Sequence, residues 1–217
     1  TTAILEQVLA DRTRRFDKSG EQFYDQISAL HKSVRSSNPD GAIYWLARML
    51  DGGCDPSYLL RRLTIMALED IGLADPRALE MALNVWNAHE RIGPPEANIA
   101  LSNLAIYLAS TAKSNASYMA LKAAQADVAA LGSQPVPLHL RNAPTKLMKS
   151  LGYGASYQYD HDVEGGIALD QTAFPDEMGE RVYYQPVARG LEIKLKEKLD
   201  RLRVAREQAR AAGKDKR

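Results

Sequence analysis

A basic stretch in the second half of the chain has side chains suited to binding an anion. Residues 135–161 include Arg141, Lys146 and Lys149, and no Asp or Glu occurs from residue 128 to residue 159. Lys146 and Lys149 are three positions apart, which places both on one face of a short helix. Ammonium and guanidinium groups in such an arrangement can contact the phosphates of DNA.

The same stretch also allows a structural interpretation. Its prolines and glycines prevent regular elements, so many backbone groups need other hydrogen-bond partners. His139 and Arg141 would then bond buried carbonyl oxygens, and Thr145 would cap the short helix. We expect this structural role for His139, and we retain Lys146 and Lys149 as phosphate contacts.

A second basic cluster lies in the first half of the chain. His31, Lys32 and Arg35 fall within about one turn of a predicted helix, with Lys32 and Arg35 on one face. These two side chains could contact DNA phosphates or the acidic surface of a neighbouring domain. A solvated helix face is the alternative.

Aromatic and leucine side chains are candidates for an interface between subunits. Tyr153, Tyr157 and Tyr159 could stack on single-stranded bases, but tyrosine equally suits packing of an irregular segment or of a partner subunit. We favour the packing role. Leu195 and Leu199 lie four apart and could form a seam with another subunit or dock on their own.

Motifs for nucleotide and metal chemistry are missing from these 217 residues. No G-x-x-x-x-G-K-[ST] occurs, and Gly213–Lys214 is followed by Asp. The glycines at 152 and 154 lack the third glycine of a dinucleotide fingerprint. Four histidines and one cysteine show no spacing typical of metal ligands. We therefore predict no catalytic residue, no metal and no cofactor in this chain.

Composition is that of an ordinary globular protein, with 45% hydrophobic and 25% charged residues. The net charge is +1, but residues 189–217 carry eleven Lys and Arg against five Asp and Glu. Such a basic end can attract nucleic acid or an acidic partner, or simply be solvated. One cysteine and no long apolar run predict a cytoplasmic protein without a membrane span.

Caps and apolar periods predict an all-α bundle or array of about seven consecutive helices. An amphipathic helix over Thr2–Arg14 is the first of them. Between residues 135 and 190 we expect a long irregular segment rich in Pro, Gly and Tyr, with a short helix at Thr145–Ser150 and some extended structure near Val182. A final helix begins at Arg189. The other helices are predicted to begin near Ser19, Pro39, Pro56, Asp75–Pro76, Ala97 and Ser114–Asn115.

Three segments resemble one protein family over nearly the whole chain, from about residue 16 to about residue 199. They are residues 17–50, residues 68–75 (LEDIGLAD) and the basic stretch at 135–161. They resemble the carboxy-terminal region of the RarA/MgsA family, replication-associated recombination ATPases related to the Werner-helicase-interacting protein. The ATPase module of that family is missing from these residues.

The resemblance implies a clamp-loader-like post-AAA+ oligomerisation domain that forms a homotetramer. Residues 1–16 would end the ATPase lid, residues 17–134 would be the helical oligomerisation domain, and residues 135–205 an irregular clamp plus the last helix. Residues 206–217 would be a basic disordered tail. ATP and Mg²⁺ would bind in the missing module, and the neighbour of Lys32 and Arg35 would be that module.

Function and partners also follow from the resemblance. Full-length members act in replication-fork maintenance, recombination and repair as DNA-dependent ATPases, with single-strand-binding protein as a partner. We therefore expect a tetramerisation domain, associated with the nucleoid or replication fork, that binds DNA only weakly by itself. The alternative is a stand-alone DNA-binding helical module, and a self-standing helical enzyme is a third, less favoured hypothesis.

Overall fold

The chain is helical wherever it is regular. The computed structural model describes residues 2–4 and 21–214, so the predicted helix over Thr2–Arg14 and the cap at Ser19 lie largely or wholly outside the described residues. No strand occurs in residues 2–4 and 21–214, and the predicted all-α class is confirmed.

Over residues 21–214, eight α-helices follow one another, with one π-helical and three 3₁₀ turns between them. The α-helices are α1 (Glu21–Arg35), α2 (Pro39–Asp51), α3 (Pro56–Met66), α4 (Arg77–Ile92), α5 (Asn98–Ser110), α6 (Ala116–Leu131), α7 (Lys146–Ser150) and α8 (Glu192–Lys214). The π turn is Ala67–Ile71, and the 3₁₀ turns are Gly72–Ala74, Leu138–Leu140 and Asp160–Asp162.

Local capping chemistry explains where several helices begin. The side chain of Asn38 accepts from the backbone N–H of Gly41 at 2.9 Å, and Asp55 accepts from Ser57 at 2.9 Å. A proline follows each cap, at the position where its missing N–H leaves no bond unmade. The predicted starts of α2 and α3 are confirmed.

The predicted helix from Pro56 to Ile71 does not continue as an α-helix. It changes after Met66 into a π turn and then a 3₁₀ turn, and Gly72 has a positive φ of 50°. A π turn holds one residue more than an α turn, so it alters which side chains face inward. Here it buries Ala67, Asp70 and Ile71.

The start of α4 also differs from the prediction. Pro76 precedes the helix and no side chain caps it, because the carboxylate of Asp75 is bonded to other side chains. Leu83 on this helix is 49% exposed. The helix buries a face of Ala78, Ala82 and Val85 instead.

Two compact units share the chain, and one of them contains the core. Unit 1 comprises residues 1–118 and Val187–Glu192, and unit 2 comprises Met119–Pro186 and Ile193–Arg217. In unit 1, α5 packs against each of α1, α2, α3 and α4. The largest fully buried apolar side chains all belong to unit 1: Leu30, Leu46, Met49, Leu59, Leu60, Leu63, Met66, Ile71, Leu101, Leu104 and Leu108.

Unit 2 consists of most of α6, the irregular segment and most of α8. The irregular segment is held by local hydrogen bonds, such as Gly154 N–H to Leu138 O at 2.8 Å and Ala168 N–H to Asp160 Oδ1 at 2.8 Å. Val182, predicted to be extended, forms no ladder with any described residue.

The final helix differs from its prediction at both ends. It begins at Glu192, because residues 187–191 pack as a strap on unit 1, and it extends through Lys214. The region from residue 206 to residue 214 is therefore helical where a disordered tail was predicted.

Removing a central side chain should destabilise unit 1 strongly. Leu104→Ala deletes a fully buried side chain on α5, and such a cavity lowers the free energy of unfolding by about 2–5 kcal/mol. Leu83→Ala on α4 is the matched control, because a half-exposed leucine should lose less than about 1 kcal/mol. Urea unfolding followed by circular dichroism measures both, and equal losses would contradict this account of the core.

Candidate functional site

The π turn places the buried carboxylate of Asp70 against two basic side chains of α1. Its carboxylate lies 2.6 Å from the Nε of Arg35 and 2.5 Å from the Nε2 of His31. Burial opposes ionisation of Asp70, but the hydrogen bonds from His31 and Arg35 outweigh it and lower its pKa. Two members of the predicted basic cluster are thus bonded to a carboxylate, whereas Lys32 is exposed.

Asp75 forms a second network in the same unit. Its carboxylate accepts hydrogen bonds from Arg77 Nε at 2.8 Å, from the Tyr107 hydroxyl at 2.5 Å and from the Thr111 hydroxyl at 2.7 Å. The bond from Arg77 is the largest cause that holds the pKa of Asp75 far below its usual range, and burial opposes it. This network ties the start of α4 to the end of α5.

The strap of residues 187–192 is fixed to unit 1 through Glu192. This fully buried carboxylate accepts from the Ser114 hydroxyl at 2.7 Å and from the Val187 N–H at 2.9 Å. Ser114 also donates its N–H to the Asp70 carbonyl at 2.7 Å. The N–H of Leu191 donates to the carbonyl oxygen of Ala74 at 2.8 Å.

Between the strap and the first of these networks lies a cleft of about 390 Å³, all within unit 1. Its lining is mainly polar and charged: Arg35, Glu69, Asp70, Lys113, Ser114, Asn115, Tyr118, Val187 and Arg189. Sequence reasoning missed Lys113, and it used Arg189 only as a helix start. The available signal was a lysine in an inter-helix connection with no acidic residue nearby in sequence.

The basic stretch of unit 2 is built largely as its structural interpretation predicted. His139 Nε2 bonds the carbonyl oxygen of Thr172 at 2.9 Å, and Arg141 Nε donates to the carbonyl oxygen of Val136 at 2.6 Å. The Arg141 guanidinium also lies over the ring of Tyr153, 5.1 Å from its centroid. Both side chains thus bond carbonyl oxygens, as the structural interpretation expects, and the role of Arg141 as a phosphate contact stays a prediction.

The remaining candidates of unit 2 are available on its surface. Lys146 and Lys149 are exposed on α7, whose start is capped by Thr145 as predicted. Tyr157 and Tyr159 are exposed. Their roles as phosphate and interface contacts stay predictions, as do those of the half-buried residues Tyr153, Leu195 and Leu199.

An apolar groove of about 470 Å³ lies along α6 in unit 2. Val128 and Leu131 of α6 form one wall, and Phe174 and Met178 lie among the other lining residues. At its rim the carboxylate of Asp127 accepts from the Tyr183 hydroxyl at 2.8 Å and from Arg181 Nε at 3.1 Å.

Metal and membrane sites find no support in the part of the chain that the structure describes. There, no three His, Cys, Asp or Glu side chains converge as metal ligands. None of the helices described is both long and apolar enough to span a bilayer.

Known proteins match this chain over their carboxy-terminal parts. The family model described as MgsA AAA+ ATPase C terminal matches residues 36–203, and the model described as AAA C-terminal domain matches residues 1–35. The two matches meet where α1 ends.

Curated relatives are similar along most of the chain. Replication-associated recombination protein A of Coxiella burnetii is 56% identical over 205 residues, which are 94% of this chain and 47% of that protein. The protein of the same name from Escherichia coli K12 is 50% identical over 196 residues, 90% and 44% of the two chains. ATPase WRNIP1 of Dictyostelium discoideum is 44% identical over 170 residues, which are 78% of this chain and 19% of that protein. The chain thus spans less than half the length of these relatives.

The Asp75 network should make the stability of unit 1 depend on pH. Because the pKa of Asp75 is lowered by folding, its stabilisation is present above the unfolded pKa of about 4 and is lost as the pH falls toward the native pKa. Asp75→Asn should therefore lower the urea midpoint of unfolding near neutral pH. The urea midpoint of this variant should also fall less steeply than that of the unchanged protein as the pH is lowered. Asp162 is exposed, so the urea midpoint of Asp162→Asn should change with pH as that of the unchanged protein does. If the midpoint of Asp75→Asn fell equally steeply in acid, the pH dependence would not arise from Asp75.

The strap should depend on the absence of a side chain at Gly190. A Cβ there would run into the carbonyl oxygen of Ala74, and φ is also positive at 54°. Gly93→Ala is the matched control in the same unit, with φ of 74° and nothing within 4 Å of the added Cβ. Gly190→Ala should release the strap to limited proteolysis and lower the urea midpoint well beyond the strain of about 1 kcal/mol expected for the control. Equal effects would show that backbone strain alone is responsible.

Proposed function

This chain belongs to the MgsA AAA+ ATPase C-terminal family, and we propose that it joins copies of a longer AAA+ protein to one another. The observation that carries the proposal is the apolar face of α6, which the residues that the structure describes leave exposed. Assembly would set the number and spacing of the ATPase modules.

The helix α6 carries apolar side chains around most of its circumference. It has sixteen residues, ASYMALKAAQADVAAL, and only Ala116 at its start is buried. Leu121 is 60% exposed and Val128 is 69% exposed. A helix that is apolar around most of its circumference is normally buried in a core or an interface.

Unit 2 lacks a core that could stabilise it alone. The core cluster lies wholly within unit 1, and the buried apolar residues of unit 2, among those that the structure describes, are only Ala168 and the prolines Pro137 and Pro186. Burial of apolar area is what offsets the conformational entropy lost on folding. Unit 2 exposes many large apolar side chains: Met119, Leu121, Val128, Val136, Leu138, Leu147, Leu151, Tyr157, Tyr159, Val182, Ile193 and Val204. Contact with another molecule would bury these exposed apolar side chains and so stabilise unit 2.

A second copy of this chain fits that requirement. A symmetric interface uses the same patch on both copies, so one exposed apolar helix supplies both sides. The net charge of +1 produces little repulsion between copies. A homotetramer of dihedral symmetry needs two different interfaces, which α6 and the exposed apolar side chains of the irregular segment, Tyr157 and Tyr159 among them, could provide.

The groove beside α6 suggests how the copies would interlock. Its walls at Val128, Leu131, Phe174 and Met178 are apolar, and its volume can accept a large apolar side chain from a neighbouring copy. The Asp127 pair with Tyr183 and Arg181 would form a polar rim around that contact.

The activity of the longer protein is part of the same proposal. Two of the relatives are named replication-associated recombination protein A and a third is named ATPase WRNIP1, and these 217 residues contain no phosphate-binding loop motif. ATP and Mg²⁺ would then bind in a part of the longer protein outside these residues. DNA replication, recombination and repair would be its setting, with DNA and single-strand-binding protein as partners.

The solution mass of this chain provides the first test. We expect a homotetramer that persists on dilution, because the uncovered apolar surface of unit 2 is extensive. Sedimentation equilibrium or light scattering measures the mass directly. A monomer at all concentrations would refute assembly by this chain and would favour the alternative, a DNA-binding helical module.

Substitution on α6 tests which face is used. Val128→Asp places a charge on the proposed interface and should yield a folded, smaller species. Ile99→Asp is the matched control, since Ile99 is also 69% exposed but lies on α5 in unit 1. Leu195→Asp and Leu199→Asp extend the test to α8, where unfolding would place these leucines in the subunit's own packing. Dissociation by Ile99→Asp alone would move the interface to unit 1.

A further inference from the structure

The polar cleft of unit 1 contains two cations, Lys113 and Arg189, that form no ion pair with a carboxylate among the described residues. The ion pairs among the described residues include neither Lys113 nor Arg189. Arg35 and Asp70, in contrast, neutralise each other at 2.6 Å. The uncompensated charges of the cleft are therefore two cations and the carboxylate of Glu69.

Lys113 is the more informative of these two cations. Its ammonium donates to the carbonyl oxygens of Ala109 at 3.0 Å and Thr111 at 2.6 Å, which leaves one of its three protons for a ligand. Burial also lowers the pKa of Lys113. A half-buried ammonium held by two carbonyls gains from an anion beside it, because that anion offsets the loss of water.

Arg189 completes the cationic wall from the strap. Its Nη1 donates to the Lys113 carbonyl at 3.4 Å, which brings the two residues together and leaves most of the guanidinium donors free. The amide of Asn115 and the hydroxyl of Tyr118 add further donors to the cleft.

We propose that this cleft binds a phosphate group, and specifically a phosphodiester of a nucleic-acid strand. Two cations against one carboxylate leave a single positive charge, which matches the single negative charge of a phosphodiester better than the larger charge of free phosphate. The number of free donors exceeds what the two oxygens of a carboxylate require. Every lining residue belongs to unit 1, so the inference is independent of the proposed assembly through unit 2.

The test measures binding of a labelled oligothymidylate of about 20 nucleotides by fluorescence anisotropy, with the full chain at several salt concentrations. Lys113→Gln with Arg189→Gln should weaken binding about ten-fold per lost contact near 50 mM salt and should reduce the log–log salt slope by about 0.7 per contact. Arg48→Gln with Arg91→Gln is the matched control, because it removes two exposed charges of unit 1 outside the cleft.

Two further variants separate binding from folding. Glu69→Gln removes the opposing carboxylate and should tighten binding, a gain that misfolding cannot produce. Asn115→Asp adds a negative charge in the cleft just before α6, where an acid stabilises the helix, and should weaken binding in a folded protein. All variants should keep the solution mass of the unchanged chain.

Several outcomes would overturn the proposal. The cleft is excluded if its double variant binds like the control pair, or if the chain shows no binding even at low salt. Binding of an oligoglutamate peptide in place of the oligonucleotide would assign the cleft to protein carboxylates. Displacement of the strand by inorganic phosphate, but not by chloride of equal ionic strength, would overturn the assignment to a phosphodiester and leave a site for free phosphate.

Discussion

The hydrogen bonds of the buried Glu192 carboxylate hold the carboxy-terminal strap of unit 1 to the segment that precedes α6. A buried charge is tolerated only where hydrogen bonds replace its water, and Ser114 and the Val187 N–H supply two of them. Ser114 in turn holds the carbonyl of Asp70 and accepts from the N–H of Ala116. One acidic side chain thereby fixes the strap, the π turn and the start of α6 together.

The two units represent opposite solutions to the same physical problem. Unit 1 buries leucine and methionine on α1–α5 and places its charged side chains in compensated networks. Unit 2 instead exposes many large apolar side chains on its surface. Hydrogen bonds within its irregular segment hold that segment in place. Stability within the chain thus rests mainly on residues of unit 1, whereas the association between chains that we propose would rest on residues of unit 2.

Local chemistry made part of the fold predictable from sequence. A cap followed by proline fixed the starts of α2 and α3, and the change of composition at residue 135 marked the irregular segment. The π turn was not predictable, because its apolar residues suit an α-helix equally well and only tertiary bonds to Asp70 favour the extra residue. The cleft was missed for a similar reason: Lys113 and Arg189 are 76 residues apart and meet only after folding.

The distance in sequence between Glu192 and Ser114, 78 residues, has a consequence for biosynthesis. A ribosome that adds roughly 5–20 residues per second completes α1–α5 several seconds before it makes Glu192. During that interval the hydroxyl of Ser114 lacks its carboxylate partner, and the whole of α6 is synthesised before Glu192 is. The nascent chain therefore passes through a stage in which the apolar helix α6 is present while the bond between Ser114 and Glu192 has not yet formed.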